Sequence, residues 1–157
     1  DQIIVQRCYK MKDKIKWCLE QKQGIELVEP NDNLSEAYLK DSKDSLESMV
    51  SSKGLWKTVM SYYACYYALY SLLMKLGIKC EIHSCTIALM ELLGFDSNDI
   101  EFIEKMKKER IGVQYYRKTP DEINLIQIKE FVIKCQEISS KLDHDSITKV
   151  RGLVKND

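Results

Sequence analysis

The stretch LWKTVMSYYACYYALYSLLMKL, running from Leu55 to Leu76, decides the fold of this chain. Leu55, Val59, Tyr62, Tyr66, Leu69, Leu73 and Leu76 recur at alternating steps of four and three residues, the spacing of a heptad seam. Trp56, Met60, Tyr63, Tyr67, Tyr70 and Met74 form a second apolar stripe one position round. Beside them Lys57, Ser61, Ala64, Ala68, Ser71 and Lys75 make a narrow row of small residues with a lysine near each end. A helix that is apolar nearly all round is buried, so this segment is expected to be the central rod of a bundle. Other helices or a second subunit would wrap it. Its tyrosines, serines and lysines make it a poor membrane span.

Outward from that rod, helical signals continue in both directions and no segment alternates with period two, so the fold is expected to be all-α. A first helix is read over about Gln2–Gln23, with Ile4, Cys8, Met11, Ile15, Cys18 and Leu19 inward and Gly24 closing it. Residues up to 33 form an N-terminal helix plus an extended link containing Pro30. Asn33 with Glu36 suggests a capping box for a second helix reaching about Ser52, with Leu39, Leu46, Met49 and Val50 on its apolar side. Gly77 closes the rod. Ser84 is placed to cap a compact helix ending near Leu93–Gly94, and Asp96 or Ser97 to open a long one to about Tyr116. Thr119-Pro120-Asp121-Glu122 combines a cap hydroxyl, a first-turn proline and acids, and predicts the start of the last long helix. That helix would bury Ile128, Phe131, Cys135, Ile138 and Leu142, followed by a C-terminal tail over 143–157. The whole, 1–157, reads as one mostly up-and-down bundle of five or six helices.

Composition narrows the function classes. Lysine plus arginine and aspartate plus glutamate both number 24, which speaks against a dedicated nucleic-acid binder. Six cysteines form no C-x-x-C pair, and most fall on apolar stripes where a free thiol acts as a small hydrophobe. With no secretory signal or transmembrane segment read in the sequence, a reduced, cytoplasmic protein is expected, and no membrane association. The chain does not begin with methionine, which leaves room for residues upstream.

Two stretches resemble the HEPN domain, a small helical bundle of archaea and bacteria often encoded beside nucleotidyltransferases. The first is LWKTVMSYYACYYALYSLLMKLGIK followed by HSCTIALMELL (His83–Leu93); the second is KKERIGVQYY (Lys107–Tyr116) with the Phe131–Leu142 helix. The similarity spans roughly Leu34 to Leu142. Ribonucleases of that family are similar in carrying an arginine and, a few residues on, a histidine, which dimerisation brings to a shared cleft. Arginine would neutralise phosphate and histidine would move a proton. Where Tyr-Tyr-Ala is present, the resemblance places those residues at Met60 and Tyr67 here. Neither can do that work, and no other pair at that spacing exists because the only histidines are His83 and His144. The resemblance therefore implies a module without the ribonuclease chemistry and with no catalytic residues.

Candidate ligand-binding residues are Tyr63, Tyr67, His83, Arg110, Tyr116 and Arg117. Aromatic faces can stack on bases, and guanidinium groups can bind phosphate. The same tyrosines at heptad spacing also suit a core or a dimer seam, which the small row of Ser61, Ala64 and Ala68 favours. Cys80, His83 and Cys85 have ligand chemistry for zinc but lack a fourth partner, so no metal and no cofactor are expected. His83 is instead expected to bond backbone at a helix start, and Asp143, His144 and Asp145 to cap or end a helix. The leading expectation is a non-catalytic homodimeric module that binds a protein partner, by resemblance a nucleotidyltransferase, or a nucleotide-like ligand. The rivals are a nucleic-acid enzyme using Arg110, Arg117 and tyrosines, and a purely structural dimer.

Overall fold

The computed structural model describes residues 2–155, and within that range the side chains of all but residues 2–5, 7 and 8. Ile4 and Cys8, expected to point inward, lie outside the described side chains. Among the described residues there are seven α-helices: α1 (Gln2–Glu20), α2 (Asp32–Ser51), α3 (Leu55–Leu76), α4 (His83–Ala88), α5 (Ser97–Tyr115), α6 (Leu125–Lys141) and α7 (His144–Lys155). A 3₁₀ turn (Leu89–Leu93) extends α4. Two residues of β1 (Glu26–Leu27) pair antiparallel with two of β2 (Ile78–Lys79). The all-α reading holds, with a helix count slightly above the expected five or six.

The α3 boundaries are those its periodicity predicts, and Gly77 ends it in the left-handed region at φ 71. A Cβ on Gly77 would meet Arg151 Nη1, the Val28 carbonyl oxygen and the Pro30 nitrogen, so chain crossings as well as conformation demand glycine there. α3 is the rod, buried along nearly its whole length. α2 folds back beside it after a three-residue turn, and α5 and α6 cover the other faces. The row Ser61, Ala64 and Ala68, read as favouring a seam between subunits, is buried under α2 of the same chain. Ser42 Oγ donates to the Ala64 carbonyl and Ser35 Oγ to the Ser71 carbonyl at 2.7 Å. Small side chains let the two backbones come close enough for these contacts.

Several local expectations are corrected. α2 is capped by Asn31, whose side chain accepts from the Leu34 N–H, rather than by Asn33. Val50 is exposed on it. α1 stops at Glu20, and Gly24 instead sits against the Cys18 carbonyl, where a Cβ would have no room. Residues 119–122 do not start a helix: Lys118 Nζ ties Glu109 and Asp121 together, and α6 starts later, capped by the Asn124 side chain. The tail forms the twelve-residue α7, capped by Asp143 through Ser146, rather than an added turn or two. Arg151 Nη1 docks α7, donating to the carbonyls of Val28, Leu76 and Gly77 at 2.7, 3.0 and 2.7 Å.

The wholly reduced reading of the cysteines is also corrected, because Cys18 and Cys85 form a disulfide joining α1 to α4. The end of α1 packs on α4 and brings the two thiols together. Cys65, Cys80 and Cys135 are free and buried. No helix among the described residues is long and apolar enough to cross a membrane.

Candidate functional site

The tyrosines of α3 do two jobs at once. Tyr62, Tyr66 and Tyr70 are spaced by four residues, so their rings stack in a column, with centroids 5.7 and 5.9 Å apart. Tyr63 and Tyr67, one position round, lie 5.2 Å from each other and are half-buried. Tyr38 of α2 closes the end of the column against Tyr67 and Tyr70.

β2 carries the chain back alongside α3, so that His83, the first residue of α4, lands on this column. Its ring stacks on Tyr66 with centroids 3.9 Å apart, and its Nδ1 shares a 2.7 Å hydrogen bond with the Tyr62 hydroxyl. The expectation that His83 bonds backbone is therefore corrected: its partner is a phenol. Burial, with Arg110 and Lys107 nearby, pushes its pKa down to about 4. It is neutral at physiological pH. Burial likewise raises the phenols of Tyr62 and Tyr66 well above the ordinary tyrosine value.

Arg110 arrives from α5. It shares the inward stripe of Ile103, Met106 and Val113, so its stem is carried into the bundle and only 8% of the residue is exposed. The guanidinium carbon lies 4.8 Å above the Tyr62 ring, 5.7 Å from that of Tyr63 and 6.0 Å from that of Tyr115. Nη1 donates to Gln114 at 3.3 Å, while Nε is buried with no partner. Among the described residues no carboxylate pairs with it. Cation–π contact offsets part of the cost of burying this charge, and the rest is uncompensated.

Of the six candidate ligand-binding residues, the structure brings Tyr63, Tyr67, His83 and Arg110 into one cluster and leaves two out. Tyr116 is 79% exposed, because it is the cap residue whose N–H closes α5 onto Gly112. Arg117 adopts φ 53 and turns the chain away into the 117–124 segment. Tyr115 and Gln114 take their place. The Arg110–Gln114 spacing of four was the signal for the second; nothing local announced the first. The arrangement also creates an arginine–histidine neighbourhood that no sequence spacing displayed. Met60 and Tyr67, where the resemblance placed the cutting pair, are half-buried, and burial raises the Tyr67 phenol.

Metal chemistry finds no foothold in the Cys80, His83 and Cys85 trio. Cys85 is committed to Cys18, and Cys80 Sγ donates to the Ile82 carbonyl. No group of three or more His, Cys, Asp or Glu side chains among the described residues could hold a metal ion.

Chemically, the cluster offers one buried, charged donor, flat aromatic faces and a neutral imidazole. That set suits a planar, anionic ligand. Comparison with known proteins bears on the same segment of chain: the sequence model of the HEPN domain matches residues 33–143, which contain every residue of the cluster. No curated protein matches the chain.

Proposed function

The chain belongs to the HEPN domain family, and from that premise we propose that it is a non-catalytic member whose tyrosine–arginine cluster receives the phosphate of a nucleotide-like ligand. The observation that carries this reading is Arg110, which is over nine-tenths buried with an Nε that lacks a partner. A buried guanidinium held by aromatic rings and one amide, with no carboxylate, keeps donor capacity that a phosphate can take up. Tyr63 and Tyr115 flank it and supply faces on which a base can lie. By the family resemblance, the ligand is presented by a partner nucleotidyltransferase, and the module acts as a homodimer. Val50, Leu55 and Trp56, exposed together around the α2–α3 turn, support an apolar contact there rather than along the rod.

The non-catalytic half of the reading rests on His83. A neutral imidazole with a pKa near 4 is a weak base and has no proton to donate as a strong acid at neutral pH. Its Nδ1 is already engaged by Tyr62. The rival reading, RNA cleavage by Arg110 with His83, draws on the same proximity and deserves a direct assay.

Thermal unfolding with AMP, ADP and ATP tests the binding claim. A nucleotide at a hundredfold its Kd adds about 2.7 kcal/mol, or a rise in Tm of roughly 5–11 °C for a chain of this size. Arg110→Ala should abolish that rise. Absence of any shift at millimolar nucleotide would overturn the proposal. Metal-independent cleavage of mixed RNAs, lost in Arg110→Ala, would establish the rival.

A further inference from the structure

On the other side of α5, away from the tyrosines, the molecule opens a second recess. Glu109 and Arg110 are neighbours, but consecutive residues leave a helix about 100° apart, so Glu109 faces the 117–124 segment while Arg110 faces the tyrosines. A cleft of about 460 Å³ opens there, bordered by α5, the start of α6 and Thr58 of α3. That volume lies in the range that binds small molecules.

Two atoms in its lining are buried and without a hydrogen-bond partner. Thr58, only 2% exposed, leaves its Oγ1 unpaired, and Glu109 leaves Oε2 unpaired although its Oε1 accepts from Lys118 at 2.7 Å. A hydroxyl and a carboxylate oxygen left dry in this way can each take a donor, and a positively charged donor makes the stronger bond to the carboxylate. The rest of the lining agrees in sign. Glu101, Asp121 and Glu122 join Glu109, against Lys105 in the lining and the Lys118 ammonium that bridges Glu109 and Asp121, so the acids still outnumber the bases. Phe102, Met106 and Ile123 give the cleft apolar surface between these groups. Among the described residues no metal-holding cluster is present, so a bare metal ion is not the occupant that fits.

We infer that this cleft binds a small primary amine with an apolar body, its ammonium bonded to Glu109 Oε2 and Thr58 Oγ1 and its carbon chain laid against Phe102, Met106 and Ile123. The site is separate from the phosphate-binding cluster, and its occupant has the opposite charge.

The test uses hexylamine, hexanol and hexanoate as matched probes, followed by amide chemical-shift perturbation on the full chain. Hexylamine should give saturable shifts at Thr58, Glu109 and Ile123 and bind at least tenfold more tightly than hexanol, with hexanoate giving none. Thr58→Val keeps the shape of the side chain and should weaken hexylamine several-fold. Glu109→Gln should weaken it at least tenfold, and Glu101→Gln, which leaves the Lys118 bridge intact, should weaken it less. Equal affinity for hexylamine and hexanol would overturn the inference, as would no saturable shift with tens of millimolar amine. A nucleotide-binding result in either direction leaves this experiment unaffected, because its probes carry no phosphate.

Discussion

Acidifying the protein from about pH 7 to about pH 4.5 forces a proton choice on His83, and the cost can be worked from its surroundings. Above the free-histidine value of 6.5, folded and unfolded chains both carry a neutral ring, and its contribution is level. Below 6.5 the unfolded chain takes up a proton that the folded chain refuses until about 4. Stability is therefore lost as pH falls through that window and levels off beneath it. At about 1.36 kcal/mol per unit, the full displacement sets a ceiling near 3.4 kcal/mol. His83 is half-buried, so solvent screens part of this and about 1.5–2 kcal/mol is the expected loss. Urea unfolding of wild type and His83→Gln at both pH values isolates the ring from carboxylates such as Asp96 and Asp143, whose own pKa values are lowered. The wild type should lose about 1.5–2 kcal/mol more than the variant on acidification, and the ring resonance should titrate far below 6.5. Because burial is the largest cause and Arg110 the next, Arg110→Met should move that titration part of the way back up. A ring that titrates near 6.5, with parallel pH dependence in the two proteins, would refute the account of a buried, phenol-bound, neutral imidazole.

Arg110→Met should leave the fold intact and raise stability by about 1 kcal/mol in urea unfolding, while eliminating the nucleotide-induced Tm shift. Arg151→Met removes one nitrogen's three carbonyl contacts; a loss of about 2–3 kcal/mol and faster proteolysis within 144–155 should follow. Reducing the Cys18–Cys85 bond, which spans 67 residues, should lower stability by up to about 4 kcal/mol on the chain-entropy account. Thermal scans with and without dithiothreitol, and of Cys18→Ser, should agree. Gly77→Ala should cost at least about 2 kcal/mol, because the added Cβ meets Val28 and Arg151 at a positive φ; circular dichroism on heating measures it.

What was legible in the sequence was what local chemistry alone decides. The rod's limits follow from its periodicity and from Gly77, and α5 opens at Asp96 because Asp96 and Asp99 cap each other reciprocally. The helix expected at Thr119 had equally good local signals. It lost to a tertiary arrangement: Lys118 bridges Glu109 and Asp121, and Ile123 tucks partly against the core. Asn31 displaced Asn33 as a cap because the Asn31 N–H is itself anchored on the Met74 carbonyl, which fixes where the link ends. The site followed the same rule. Tyr63 and Tyr67 were visible as neighbours on one helix, whereas the meeting of His83 with Arg110 depends on β2 and α5 returning to the same column. The pairing of Cys18 with Cys85 likewise has no local signature.

Polar burial elsewhere in the bundle shows how this chain treats such groups when packing alone is at stake. Along the α2–α3 seam, Ser35, Ser42, Ser61 and Ser71 are all buried, and every one is hydrogen-bonded. The buried side-chain atoms without a partner, among the described residues, are Thr58 Oγ1, Glu109 Oε2 and Arg110 Nε. All three belong to α3 and α5, and two sit on consecutive residues. An unpaired buried polar atom costs about 1–3 kcal/mol, and for each of the three an apolar side chain of similar size would remove that cost. Arg110 Nε on the tyrosine side of α5, and on the 117–124 side Glu109 Oε2, whose carboxylate is already bridged through Oε1 to Lys118, are the atoms through which the two proposed ligands, an anion and an ammonium, would be held.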